Sequence, residues 1–226
     1  MKRKSRVCGE YPKTLYRFFD KKEYALRFIE AGHLRAGLLS GYKKIECESR
    51  RDETEGRSHY RLREMVTSGI FSQDSSRPAV WKEEMGVGEH HGEQLNLIHL
   101  ICCSRSLENL EEKKRKFGDF VVRIASPVSL AIDLDYALNG NNGEGRNLIV
   151  GASVSYSKGE ILEGISDSKD CVDLAYTQKP PTFSDEHEFR FCLFDLSQHR
   201  APIPKEDDHR YIEIGHHLKY AELIKT

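Results

Sequence analysis

The stretch Tyr176-Thr-Gln-Lys-Pro-Pro-Thr-Phe-Ser-Asp-Glu-His-Glu-Phe-Arg-Phe-Cys-Leu-Phe194 decides how this chain is read. A Pro-Pro loop runs into two glutamates, Glu186 and Glu188, at the mouth of an apolar run. Successive side chains on a strand point to opposite faces, so Glu186 and Glu188 share a face provided the extended conformation begins at Glu186. Two carboxylates are then expected at one spot, beside a loop that can carry a substrate. That pairing suits chemistry in which one carboxylate stabilises a cation and another takes a proton. In isolation the same alternation, Glu-His-Glu-Phe-Arg-Phe, also fits a half-buried edge strand.

Outward from this segment, apolar runs of strand length recur. Strands are expected over 15–19, 34–39, 95–106, 120–124, 147–156, 189–196 and 210–214. A helix is expected after Asp20, taken as its cap, with Tyr24, Ala25, Phe28 and Ile29 at helical spacing and Gly32 as its stop. Further helices are expected over 107–117 and over 127–138, where Pro127 suits a first turn. The Gly and Asn cluster at 139–145 reads as a turn. Residues 58–92 have weak periodicity and read as an irregular insertion or a pair of ribbon strands. Strands outnumber helices and the helices fall in the connections, so the expected class is α+β with a largely antiparallel sheet pair. A basic tail over 1–13 followed by a single domain over 14–226 is the expected organisation.

Bulk composition narrows the function classes. The 226 residues are 38% hydrophobic and 31% charged, with a mean hydropathy of -0.61 and a net charge of -1. This describes a globular chain with a charged surface. No apolar run approaches a bilayer span and the basic N-terminus lacks the apolar segment of a secretory signal, so a cytoplasmic protein without a membrane partner is expected. Residues 1–57 hold 15 Lys and Arg against 9 Asp and Glu. A basic third of this kind suits phosphates of a nucleotide or polynucleotide, and equally a solvated face.

Six scattered cysteines, several within strand-like runs, read as reduced and mostly buried thiols. Cys102-Cys103 could join nearby histidines around zinc, but the chain lacks Cys-x-x-Cys and His-x-x-x-His spacing, and no metal is expected. The Gly140–Gly145 segment lacks the Lys-Ser/Thr of a phosphate-binding loop.

Leu-Tyr-Arg-Phe around Arg17, Cys-Cys-Ser-Arg-Ser around Ser104 and Glu186-His-Glu188 follow one another in the order used by the arginine–serine–glutamate branch of the mono-ADP-ribosyltransferase superfamily, which this chain resembles. Together with Gly-x-Leu-Arg-x-Gly-Leu-Leu-x-x-Tyr and Arg-Arg-Asp-Glu-Thr-Glu-Gly, these motifs resemble the RNA-modifying ADP-ribosyltransferase toxins of bacterial toxin–antitoxin–chaperone phage-defence modules. The likeness spans about residues 14–195, through short motifs. The middle strand departs from it, reading Cys-Ser-Arg-Ser where the family often has Ser-Thr-Ser.

The resemblance implies a split antiparallel β-sandwich with flanking helices, NAD as co-substrate, RNA as target, and an antitoxin and chaperone as partners. It implies that Glu188 stabilises the ribosyl cation and that Glu186 accepts the target's proton. Arg17, or a first strand read through Tyr16, and Ser104 would hold the cofactor. Tyr176 would stack on the nicotinamide ring and Phe183 would meet the target. Tyr42 and Arg51 lie at a charged rim suited to adenosine phosphates or target, or to a salt-bridged surface loop. Transfer to protein side chains, and a catalytically silent nucleotide-binding or partner-binding module, are the alternatives.

Overall fold

The computed structural model describes residues 7–39, 58–62, 87–90, 98–140, 146–156, 160–162, 176–195 and 209–225. In chain order the elements are β1 (Val7–Gly9), β2 (Leu15–Phe19), α1 (Lys22–Ala31), β3 (His33–Leu38), β4 (Ser58–Leu62), β5 (Val87–His90), β6 (Ile98–Ser104), α2 (Leu110–Phe117), β7 (Phe120–Ile124), α3 (Pro127–Asn139), β8 (Asn147–Ser153), β9 (Ser155–Tyr156), β10 (Glu160–Leu162), β11 (Gln178–Lys179), β12 (Glu188–Asp195), β13 (His209–Glu213) and β14 (Ala221–Leu223). A 3-10 turn, Pro181–Glu186, precedes β12.

The class is α+β. The main sheet runs β1-β8-β12-β6-β2-β7-β14, with β13 and β3 attached through β6. It is mixed, because β1 runs parallel to β8 while its other pairs are antiparallel. Strands β4 and β5 form an antiparallel ribbon that β10 extends, which realises the ribbon alternative for residues 58–62 and 87–90.

One edge of β6 serves two strands. Tyr16 of β2 lies opposite Ser104 at its C-terminal end, and Gly37 and Leu38 of β3 lie opposite Leu100 and His99. Between these contacts the edge forks, and backbone carbonyls there need donors. Arg17 supplies them, donating to the Cys102 carbonyl at 3.1 Å and to the Arg35 carbonyl at 3.3 Å.

Alternation along the strands divides the core. On one face Leu15, Ile101, Cys103, Val122, Phe189, Phe191 and Leu193 pack beneath Ala25 and Phe28 of α1 and Leu130, Ala131 and Leu134 of α3. On the other, Leu39, Leu100, Cys192 and Tyr176 make a smaller cluster.

Two helix starts differ from expectation. In α1 the cap position is Lys21, without a side-chain cap, because Asp20 sits one residue too early; its stop at Gly32, in the left-handed region at φ 65°, is as expected. In α2 the helix begins at Leu110 rather than at 107, since Asn109 turns left-handed at φ 56° just before it. For α3, Ser126 accepts from the Ser129 amide and Pro127 opens the first turn.

Candidate functional site

The three strands that carry the expected motifs are neighbours, in the order β12-β6-β2. Glu188 pairs with Ser104, and Ser104 pairs with Tyr16, so these residues form a row on one face. Arg17, one position along β2, belongs to the opposite face, where its guanidinium reaches the Cys103 thiol. Its two terminal nitrogens are spent on backbone carbonyls at the fork, and its buried Nε has no partner among the described residues. The structure therefore brings Tyr16, Ser104 and Glu188 together and leaves Arg17 behind the sheet.

The extended conformation does not begin at Glu186, contrary to the sequence expectation. Glu186 ends the 3-10 turn, and His187 follows in the left-handed region at φ 47°. A residue in that conformation reverses the chain. The two glutamates nevertheless meet, through Lys179 rather than by alternation. Lys179 Nζ lies 2.8 Å from Glu186 Oε2 and 2.8 Å from Glu188 Oε2.

Each carboxylate has a second cation. Lys116 of α2 contacts Glu186 Oε1 at 2.5 Å. Arg190, two residues along β12 and so on the same face, donates Nε to Glu188 Oε1 at 2.9 Å and Nη2 to Oε2 at 3.3 Å. Its Nη1 donates to the Tyr176 carbonyl at 2.9 Å. Arg190 is 1% exposed and Glu188 4%. Burial by itself would push the Glu188 carboxyl up, but Arg190 and Lys179, with a hydrogen bond from Cys102, outweigh it and hold it well below the usual carboxylate range. Glu188 is thus ionised at neutral pH. Its backbone amide donates to the Tyr156 hydroxyl at 2.7 Å.

Ser104 acts on the turn rather than on the Glu188 carboxylate. Its hydroxyl lies 2.7 Å from the Glu186 carbonyl and 2.8 Å from the Ser106 carbonyl, and it accepts from buried Lys113 at 3.1 Å. With one proton to give, it donates to one of those carbonyls at a time. It staples the end of β6 to the entry of β12.

The aromatics divide. Phe183 stands half-buried on the turn, with the Lys116 and Lys179 ammoniums 5.1 and 5.2 Å from its ring centroid. Tyr176, expected to stack on a ligand, is 5% exposed and packs edge-on against Phe194. Tyr42 and Arg51 lie outside the described residues.

Sequence reading missed Arg190, Lys179, Lys116 and Lys113. Arg190 was legible from the period of two. Lys116 and Lys113 were not, since only packing brings α2 to the turn. A hollow of about 390 Å³ lies elsewhere, lined by Asp133, Tyr136, Ala137, Ile214 and His216. Among the described residues no group of His, Cys, Asp and Glu is arranged to hold a metal ion, and no helix is long and apolar enough to cross a membrane.

No protein-family model, curated protein or solved structure matches this chain.

Proposed function

We propose that this protein is an NAD-dependent mono-ADP-ribosyltransferase, a toxin whose target is nucleic acid and in first place RNA. The observation that carries the reading is the Glu188 carboxylate, set opposite Ser104 and joined through Lys179 to a second carboxylate. The placement of Arg17, Ser104 and Glu188 on three adjacent strands, with Glu186 on the turn that leads into the third, supports it.

In the reaction the nicotinamide–ribose bond breaks and its electron pair leaves with nicotinamide. Positive charge develops on the ribose, and a fixed carboxylate stabilises that charge where water is excluded. Glu188 fills this role. The attacking group of the target bonds to the ribose carbon and gives its proton to Glu186. Substrate approach to Glu188 Oε2 competes with Lys179, which already occupies it. Ser104 stands next to Glu188 in the row with Tyr16 beyond it, and Phe183 stands on the preceding turn beside Lys116 and Lys179. Arg17 has its two terminal nitrogens on carbonyls at the fork, so its role in this reading is to hold β2, β3 and β6 in place.

The deciding experiment incubates the protein with NAD labelled in its adenosine half and with separate RNA, DNA and protein pools. Label in RNA together with released nicotinamide supports the proposal, and label in protein moves the target to side chains. No label in any pool and no nicotinamide removes the enzyme. Glu188→Gln, checked for a native fold, is expected to lower turnover by roughly 100-fold or more.

The closed ion network favours a second reading, a catalytically silent nucleotide-binding or partner-binding module. Buried carboxylates matched by cations are common structural devices. Calorimetric binding of NAD without bond cleavage would select it.

A further inference from the structure

Glu188 and Glu186 depend on a common cation. Arg190 is engaged to Glu188 and Lys116 to Glu186, whereas Lys179 touches both at 2.8 Å. The two Oε2 atoms are therefore no farther apart than the sum of those two distances. Two carboxylates that close disfavour each other's ionised form unless a positive charge stands between them. Lys179 is itself buried and sits directly before Pro180-Pro181, whose fixed backbone angles restrict the chain that carries it.

We infer that Lys179 is a positioning residue for the carboxylate pair: its ammonium, shared by Glu186 and Glu188, holds the two carboxylates side by side at the entry of β12, in the arrangement the transfer step uses. This rests on the transferase reading above.

The groups that face Lys179 from the elements packed around it are Glu188 and Arg190 of β12, Glu186 of the turn, Lys116 of α2, Cys102 of β6 and Tyr156 of β9, with the Phe183 ring alongside. Burial pushes the Cys102 thiol and the Tyr156 phenol up, so both stay neutral at physiological pH. Neither adds a negative charge to the cluster that Lys179 serves.

The test compares wild type with Lys179→Met and Lys179→Arg in two measurements. One is the pH profile of nicotinamide release. The other is a carboxyl titration by carbon NMR on glutamate-labelled protein, with Glu186→Gln and Glu188→Gln used to assign the signals. In Lys179→Met a carboxyl of the pair is expected to titrate about one pH unit or more closer to neutrality, the acid limb of the rate profile moving with it, and Lys179→Arg is expected to restore both. Unchanged titration and an unchanged acid limb in Lys179→Met overturn the inference. If wild type releases no nicotinamide, the transferase reading fails by itself and the carboxyl titration still decides whether Lys179 holds the pair. Should Lys179→Met not fold, Lys179→Gln removes the charge while keeping a hydrogen-bonding group, and is read by the same two outcomes.

Discussion

Ser104 and Glu188 face each other directly across the antiparallel register of β6 and β12, and Tyr16 of β2 stands on the other side of Ser104. The row crosses three strands on one face of the sheet. Arg17 points away from it because a strand has a period of two, and one residue of offset changes the face. That same offset sends its guanidinium into the fork between β2 and β3.

Arg190 and Glu188 are mutually dependent. Removing the guanidinium in Arg190→Met leaves a buried carboxylate short of its main countercharge, and a loss of about 3 kcal/mol is expected from urea unfolding. The double variant Arg190→Met/Glu188→Gln should lose less than the sum of the two single changes. Additive losses would show that the pair is not coupled.

Acid should weaken the protein through Glu188. Its folded pKa is depressed below the unfolded value near 4.5, so its contribution is complete above that pH and is lost progressively as the pH falls below it. Urea midpoints measured between neutral pH and about pH 3 should fall steeply in wild type and more gently in Glu188→Gln. Parallel curves would assign the acid sensitivity to other groups.

Gly118 closes α2 at φ 123°, and a Cβ built there lies 2.3 Å from the Phe19 carbonyl carbon. Backbone on both sides cannot yield as a flexible side chain can. Gly118→Ala is expected to cost at least about 2 kcal/mol, from strain and overpacking together. A thermal midpoint equal to wild type would refute this.

Burial pushes the Cys103 thiol up to about 11, although Arg17 draws it partly back. At pH 8 it is therefore nearly all thiol and slow to alkylate. Among the described cysteines, exposed Cys8 should react first in the native protein, and Cys103 only on unfolding, as peptide mapping after timed alkylation would reveal. Early native labelling of Cys103 would count against the packing described for β6.

Local patterns in the sequence reached far. The strand Phe120–Ile124 and the strand Leu15–Phe19 match expectation residue for residue, because short apolar runs bounded by turn residues have few alternatives. The glycine stop of α1 and the proline start of α3 were readable for the same local reason. The starts of α1 and α2 were displaced, since the conformations of Lys21 and Asn109 depend on how the chain enters each helix.

The meeting of Glu186 with Glu188 was foreseen for the wrong reason. Alternation needed an extended Glu186, and the chain supplies a 3-10 turn and a left-handed His187 in its place.

By itself the sequence determined that this chain builds an α+β protein around apolar strands, and that Arg17, Ser104 and Glu188 sit on three of them. Periodicity and turn chemistry are local properties, so they survive without coordinates. Only the tertiary structure decided that Tyr16 rather than Arg17 shares the face of Ser104 and Glu188, and that Lys179 and Lys116 close on the two carboxylates. Those relations depend on register between strands distant in sequence, and on the electrostatic need of a buried carboxylate for cations that packing alone can deliver.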